Sequence, residues 1–366
     1  MRVLQITPKY FPSMGGVETV VKKISETLVE NGIEVTVYSV DLNRRLSRQE
    51  RINQVSVKRF QPVIDDPLFL PEPNFMFDLM REKAEIIHVH NFHTLLPFLA
   101  ALTKKAKQKM LLQPHYHRFG QSPFRHSMFQ LYKTALKSIV LPRADLAIAN
   151  SHYEERALQE DFPQFKSIKL LPEGMDANDE RRVKRHPEPN RILYVGVLKR
   201  YKNVDKVLEG FSFFLRRGSA GSKLIIVGDG PENKFLLAYA RGLGLGTFVE
   251  WKHDLSREQL LDEYARASAF IMLSQLESFS RVVYDALLMG VPAVVLNFGA
   301  LKDLVSKGLV IGVNSLSPKE IAQGLSKALS RNPPRFSNDD LVFLDWPEYS
   351  KRILSIYYGM LEDRKI

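Results

Sequence analysis

Short apolar runs alternate with longer segments whose apolar residues recur every three to four positions, and the alternation fills most of the chain. Residues 2–7 read as a buried strand. Residues 17–30 read as a helix with Val17, Val20, Val21, Ile24, Leu28 and Val29 on one side. Strand signals follow at 33–40 and 55–60, and a Pro-rich, irregular stretch occupies 61–75. Ala84–Asn91 reads as a strand and 94–107 as a helix, and Met110–Gly120 repeats that plan. Residues 122–141 form an amphipathic segment with Phe124, Met128, Leu131, Tyr132, Ala135, Leu136 and Ile139 on one side. Arg125, Lys133 and Lys137 lie on the other. Strands at 144–149 and 167–171 close this first series.

The stretch 172–191 breaks the rhythm. It is charged, contains Pro172, Pro187 and Pro189 and has no apolar face, which places an interdomain linker at 173–190. A second series of strands and helices starts at Arg191. Strands are expected at 191–195, 223–227, 247–251, 269–273 and 291–296, with helices at 203–216, 232–242, 256–266 and 300–306. The chain therefore divides into a first domain over 1–172 and a second over 191–346. A tail helix at 347–366 is expected to pack back on the first domain. Strands alternating with helices predict α/β domains with parallel sheets, whose ligands lie at the carboxyl ends of the strands.

Several loops at those ends carry chemistry. The stretch from Ser274 to Pro292 runs from an apolar strand through Glu277, Ser278, Phe279 and Ser280 into a helix that stops at Gly290. Strand, polar loop and helix N-terminus is a layout that holds anions, through free N–H groups and the helix dipole. Asp285 lies about a turn and a half into that helix. Gly15 and Gly16, between the first strand and helix, permit positive φ and close ligand approach; Glu18 follows them. They do not form a G-x-G-x-x-G match, so a dinucleotide site is not expected. Lys199, Arg200 and Lys202 crowd the loop after Gly196, opposite in sign to a phosphate. His88 and His90, and His115 and His117, fall at strand ends. Each pair faces one side, but no third ligand suggests itself and no metal site is expected.

Composition narrows the partners. With 45% hydrophobic and 25% charged residues, the chain is ordinary for a globular protein. The absence of Cys excludes disulfides and thiolate metal sites. No long apolar h-region or membrane-spanning run is read, so a cytoplasmic protein is expected, with peripheral attachment at the inner membrane face as a variant. Net charge is +11, and residues 1–170 hold 24 Lys+Arg against 17 Asp+Glu. The surplus favours anionic partners: nucleotide phosphates or an anionic membrane surface. Nucleic acid is not expected, because the basic residues are dispersed without interleaved aromatics.

Five motifs in order resemble the retaining glycosyltransferases of family 4, over nearly the whole chain. They are Pro12-x-x-Gly15-Gly16-Val17-Glu18, the His-bearing ends at 87–91 and 114–117, and Leu193-Tyr-Val-Gly196-x-Leu198-x-x-x-Lys202-Asn-Val-Asp205. Val227-Gly-Asp-Gly-Pro231 follows, and then Glu277, seven residues, Asp285 and Gly290-x-Pro292. The resemblance implies a GT-B fold, two Rossmann-like βαβ domains facing each other across a cleft. It implies sugar transfer from a nucleotide-sugar donor to an acceptor hydroxyl, without a metal or other cofactor. Lys202 would hold the pyrophosphate, helped by N–H groups of Gly15–Gly16 and Ser278–Ser280. Asp285 would accept from the ribose, Glu277 would orient the sugar, and His115 would contact it near the reacting carbon. Glu18, Gly196, Arg200 and Phe279 complete the expected site. The sequence departs from the family pattern at Val197 (usually Arg), Asp285 (usually Glu), Ser280 (usually Gly) and Glu173-Gly174 (usually Asn-Gly). Two other readings fit the same residues: a non-catalytic nucleotide-sugar-binding scaffold and a sugar-nucleotide epimerase.

Overall fold

The computed structural model describes residues 1–13, 15–40, 46–118, 123–177, 183–219, 221–333 and 343–362, without the side chains of 123–125 and 128. The chain forms two compact units. Met1–Met175 and Phe343–Ile366 make the first, and Asp176–Val342 the second.

The first unit is built on an eight-stranded sheet in the order Ile168–Leu170, Leu146–Ala149, Lys109–Gln113, Ile86–His90, Arg2–Thr7, Glu34–Val40, Val55–Phe60, Gln49–Ile52. All neighbours are parallel except the edge hairpin of Gln49–Ile52 with Val55–Phe60. Central strands such as Ile86–His90 are buried along their whole length, which is why they read as unbroken apolar runs. Helix Gly16–Glu30 buries Val20, Val21, Ile24 and Leu28. Gln49–Ile52 and helix Asn74–Arg81 escaped the pattern reading; the helix is short and its neighbours Pro71 and Pro73 mask its period.

The amphipathic segment corrects an expectation. Helix Pro123–Ala135 passes into a π turn at Leu136–Val140. Among the described side chains, Phe129, Leu136 and Val140 are buried, while Leu131 is 78% and Ile139 38% exposed. The wider π turn shifts the helical phase after Ala135 and carries Ile139 off the stripe drawn for a uniform helix, while Leu131, before the turn, faces outward within the α-helix itself. Phe124, Arg125 and Met128 lie outside the described side chains.

Helix Trp346–Glu362 belongs to the first unit. Its Trp346, Tyr349, Ile353, Tyr357 and Met360 join Val3, Val20, Ile24, Val35 and Val57 in one buried cluster. Close approach is needed where it begins, since a Cβ on Gly174 would lie 2.4 Å from the Trp346 ring.

The second unit has a six-stranded, all-parallel sheet in the order Val249–Lys252, Lys223–Val227, Arg191–Val195, Ala269–Met272, Ala293–Leu296, Ile311–Val313. The strand order turns back on itself between Arg191–Val195 and Ala269–Met272. That is the switch point at which doubly wound sheets open a crevice at their carboxyl ends. Ile311–Val313 and helix Pro318–Ser330 were not foreseen, although Ser317, Pro318 and Glu320 form a start signal for that helix. The segment expected as the interdomain linker is docked on the second unit beyond residue 182. Arg185 Nη1 donates to Gly290 O (2.6 Å), His186 N to Ala265 O (3.1 Å) and Glu188 N to Arg266 O (2.8 Å). Among the described residues, no helix is long and apolar enough to cross a membrane.

Candidate active site

Two loops leave the switch point of the second unit, one after Val195 and one after Met272, and they are stitched together. Asn203 Nδ2 donates to Leu273 O (2.8 Å) and Gln275 N to Tyr201 O (3.1 Å). This stitching brings the Lys202 ammonium into an ion pair with the Glu277 carboxylate, both side chains 11% exposed. Burial works against the Lys202 charge, but Glu277 beside it holds the ammonium above its ordinary pKa. A fixed cation and a fixed anion thus stand side by side at the mouth of the crevice.

The glycines around them act by close approach. Gly196 has φ 155°, and its N–H donates to Val227 O (3.0 Å). A Cβ on Gly228 would lie 2.0 Å from Gly196 O, and one on Gly230 2.5 Å from Leu198 O. The Gly228-Asp-Gly230 run is therefore a bed for the lysine-bearing loop. Arg200 and Val197 are exposed on that loop.

Helix Arg281–Leu288 starts at Ser280, which sits in the left-handed region (φ 82°, ψ 67°) and does not cap it. Its Oγ turns to Met272 Sδ instead (3.3 Å). Phe279 is buried and stacks on Tyr284, with centroids 4.3 Å apart and planes 2° from parallel. Ser278 is half-buried. Asp285 is buried, and Arg257 grips it with Nη1 to Oδ2 at 3.1 Å and Nη2 to Oδ1 at 3.3 Å. Sequence reasoning missed Arg257, since nothing local separates it from the other basic residues.

In the first unit, the Gly15–Gly16 expectation needs correcting. Gly15 is extended (φ −178°) and Gly16 is the first helical residue, so positive φ is not what they supply. A Cβ on Gly15 would lie 2.2 Å from Glu18 Oε2. The glycine makes room for the Glu18 carboxylate, which folds back over the helix start where an anion is favoured. The preceding loop is anchored by buried Arg59, whose Nη2 donates to Phe11 O (2.6 Å).

The strand-end histidines form a buried polar cluster. His88 Nδ1 lies 2.8 Å from Tyr357 Oη, and His90 Nε2 2.8 Å from Gln5 Oε1. His115 follows strand Lys109–Gln113 in a left-handed conformation (φ 48°). Asn150 Nδ2 donates to its Nδ1 (3.1 Å), and Gln113 Nε2 donates to Asn150 Oδ1 (2.7 Å). His115 Nε2 is buried and has no hydrogen-bond partner among the described residues. Burial lowers the His115 pKa to about 4, and burial with the charge of His115 lowers that of His88 to about 3. Beneath them Glu154 accepts from the N–H groups of Tyr116 (2.5 Å) and Asn150 (2.8 Å). Burial overcomes these bonds and pushes its carboxyl up to about 8. Among the described residues, no group of three or more His, Asp or Glu is arranged to hold a metal ion.

The profile described as Glycosyltransferase Family 4 matches residues 14–179, and that described as Glycosyl transferases group 1 matches residues 176–338. An uncharacterized glycosyltransferase of Methanocaldococcus jannaschii is 26% identical over 362 residues, covering 90% of this chain and 89% of its own. The N-acetyl-alpha-D-glucosaminyl L-malate synthase of Bacillus anthracis is 24% identical over 325 residues, covering 83% and 82%. Sucrose-phosphate synthase from Thermosynechococcus elongatus superposes with a TM-score of 0.80 at 17% identity, over 99% of both chains. Anabaena HepE in complex with UDP-glucose gives 0.73 at 17% identity, over 98% of this chain and 100% of that one. At such identities the structural likeness speaks to the fold, which is GT-B with Rossmann-like units. With the two family profiles joined end to end along the sequence, the chain belongs to glycosyltransferase family 4 and is a nucleotide-sugar-dependent glycosyltransferase.

Proposed function

We propose that this enzyme moves a hexosyl group from a nucleotide-sugar to an acceptor hydroxyl with retention of configuration and without a metal ion. The observation that carries the reading is the Lys202–Glu277 pair at the switch point of the second unit. A donor diphosphate would take Lys202 from its partner, and Glu277 so released would accept hydrogen bonds from the sugar hydroxyls. As the C1–O bond to phosphate breaks, Lys202 and N–H groups at the start of helix Arg281–Leu288 stabilise the departing charge. The acceptor oxygen bonds to C1 on the same face, and its proton passes to the leaving phosphate. His115, neutral and with Nδ1 occupied by Asn150, offers Nε2–H as a donor to the sugar. HepE, a fold relative, was solved with UDP-glucose, so UDP-hexoses are the first donors to try.

The test is a panel of UDP-, GDP- and ADP-sugars with purified protein in excess chelator, followed by anomeric analysis of the product by NMR. Transfer with inversion, or strict dependence on an added divalent ion, would reject the mechanism. Absence of any nucleotide-sugar turnover or binding would reject the reading as a whole.

We also propose attachment of the first unit to anionic membranes through the helical segment bearing exposed Leu131, Ile139 and Lys137. Co-sedimentation with anionic liposomes should fall as salt rises; no binding at any salt concentration would end this idea.

A further inference from the structure

A neutral imidazole donates from one nitrogen and accepts at the other, so the partner of one decides what the other can do. At His115 the deciding group is Asn150. Its Nδ2 donates to His115 Nδ1 at 3.1 Å, which needs a lone pair there and leaves the ring proton on Nε2. Burial lowers the His115 pKa to about 4, so near neutral pH the ring carries one proton. The Glu173 carboxyl group also faces Nδ1, but at 3.7 Å it lies beyond hydrogen-bond distance. His88, His90 and His93, which also bear on this ring, are kept neutral by burial.

The Asn150 amide is held at its other end as well. Gln113 Nε2 donates to Asn150 Oδ1 at 2.7 Å and to Tyr349 Oη at 3.4 Å. Sheet order makes this possible. Gln113 ends strand Lys109–Gln113, His115 follows two residues later, and Asn150 follows the neighbouring strand Leu146–Ala149.

The backbone is pinned to match. Glu154, in the first turn of helix His152–Asp161, accepts from Tyr116 N with one oxygen and from Asn150 N with the other. One carboxyl group thus spans the two segments that carry the pair. On the other side of His115, Pro114 O accepts from Phe92 N at 2.9 Å. His115 itself sits at φ 48°, a conformation that persists only where the surroundings impose it. This frame ends in His115 Nε2, buried and with no hydrogen-bond partner among the described residues. A buried N–H of that kind is costly until an acceptor arrives.

We infer that Asn150 is a positioning residue for the transfer reaction, fixing His115 as the Nε2–H tautomer that donates to the donor sugar. The inference rests on the proposed role of His115 towards that sugar. Its test joins a spectroscopic readout to a kinetic one. In the full chain labelled with nitrogen-15 histidine, His115 is assigned by the loss of its signals in His115→Gln. Long-range proton–nitrogen correlations at pH 8 then show which nitrogen bears the proton. The wild type should show Nε2–H. Asn150→Asp puts an acceptor opposite Nδ1, so the proton should move to Nδ1 and leave Nε2 bare. With the nucleotide-sugar that the wild type turns over, kcat/KM of Asn150→Asp should fall roughly 10²-fold. Calorimetric affinity for the free diphosphate (UDP, GDP or ADP), which lacks the sugar, should stay within about twofold. Asn150→Ala removes the donor without adding a charge and should mix the tautomers; it takes the place of Asn150→Asp if that variant does not fold. Nδ1–H in the wild type, a ring unchanged in the variants, or full transfer by a chain with the inverted ring would overturn the inference. Equal losses of transfer and of diphosphate affinity would make Asn150 merely structural and overturn it too. A wild type that turns over no nucleotide-sugar would strike the donor reading itself, whereas an active wild type whose tautomer ignores Asn150 would strike this inference alone.

Discussion

Lys202 and Glu277 stand 75 positions apart in sequence and meet in space because their loops leave adjacent strands. Replacing Lys202 by Ala leaves Glu277 with an uncompensated charge and removes the cation proposed to meet the leaving phosphate. Initial-rate kinetics with the best donor should show a higher KM and a kcat lower by roughly 10²- to 10³-fold. Ser280 supports a different prediction. A non-glycine residue at φ 82° costs on the order of 1–2 kcal/mol, and its hydroxyl does not cap the helix. Ser280→Gly should stabilise the chain by up to about 1 kcal/mol once the extra freedom of unfolded glycine is subtracted, read as a higher urea midpoint. The sequence displayed Lys202, Glu277 and Asp285 through their spacing, yet it did not reveal Arg257, one of 52 Lys and Arg. Nor could it show what Gly15 is for, since a glycine's letter does not say whether φ or close approach demands it.

At the scale of elements, unbroken apolar runs marked the buried parallel strands, and Arg2–Thr7, Val55–Phe60, Arg191–Val195 and Lys223–Val227 emerged where their periodicity placed them. Elements were lost where the signal was short or interrupted. Ile311–Val313 spans three residues, and helix Asn74–Arg81 is short and preceded by prolines. Packing of the tail helix on the first unit was expected, but the partners of its side chains were not legible, because hydrogen bonds from helix Trp346–Glu362 to the histidine cluster depend on the fold. Tyr357 Oη lies within 2.8 Å of His88 Nδ1 and accepts from Gln5 Nε2 at 3.3 Å. Tyr357→Phe strands both buried groups and should cost about 1–3 kcal/mol, read as a lower thermal midpoint. Activity at low temperature should be nearly unchanged by this substitution if the hydroxyl only supports packing.

For the whole molecule, pH divides the buried groups into opposed sets. His88 and His115 are depressed to about 3 and about 4 in the folded chain, so unfolded histidines, near 6.5, bind more protons in that range. Their contribution is complete above pH 6.5 and is lost as pH falls towards 4. Glu154 is raised to about 8. Its contribution is complete below about pH 4.5, the unfolded value, and is lost as pH rises to 8. Stability of the first unit should therefore peak near pH 6.5, and denaturant midpoints at pH 5, 6.5 and 8 will show it. Glu154→Gln should flatten the alkaline side and steepen the loss of stability between pH 6.5 and 4.5.

The first unit is completed by helix Trp346–Glu362, made only after the second unit. On the ribosome, Val3, Val20, Ile24 and Val35 are thus synthesised long before the residues that cover them. At typical elongation rates the delay is on the order of 15 to 60 seconds. The contiguous second unit can close during that wait, so the nascent chain is set to mature in the reverse of its coding order. Through that interval one face of the opening sheet presents an apolar surface of the kind that chaperones hold.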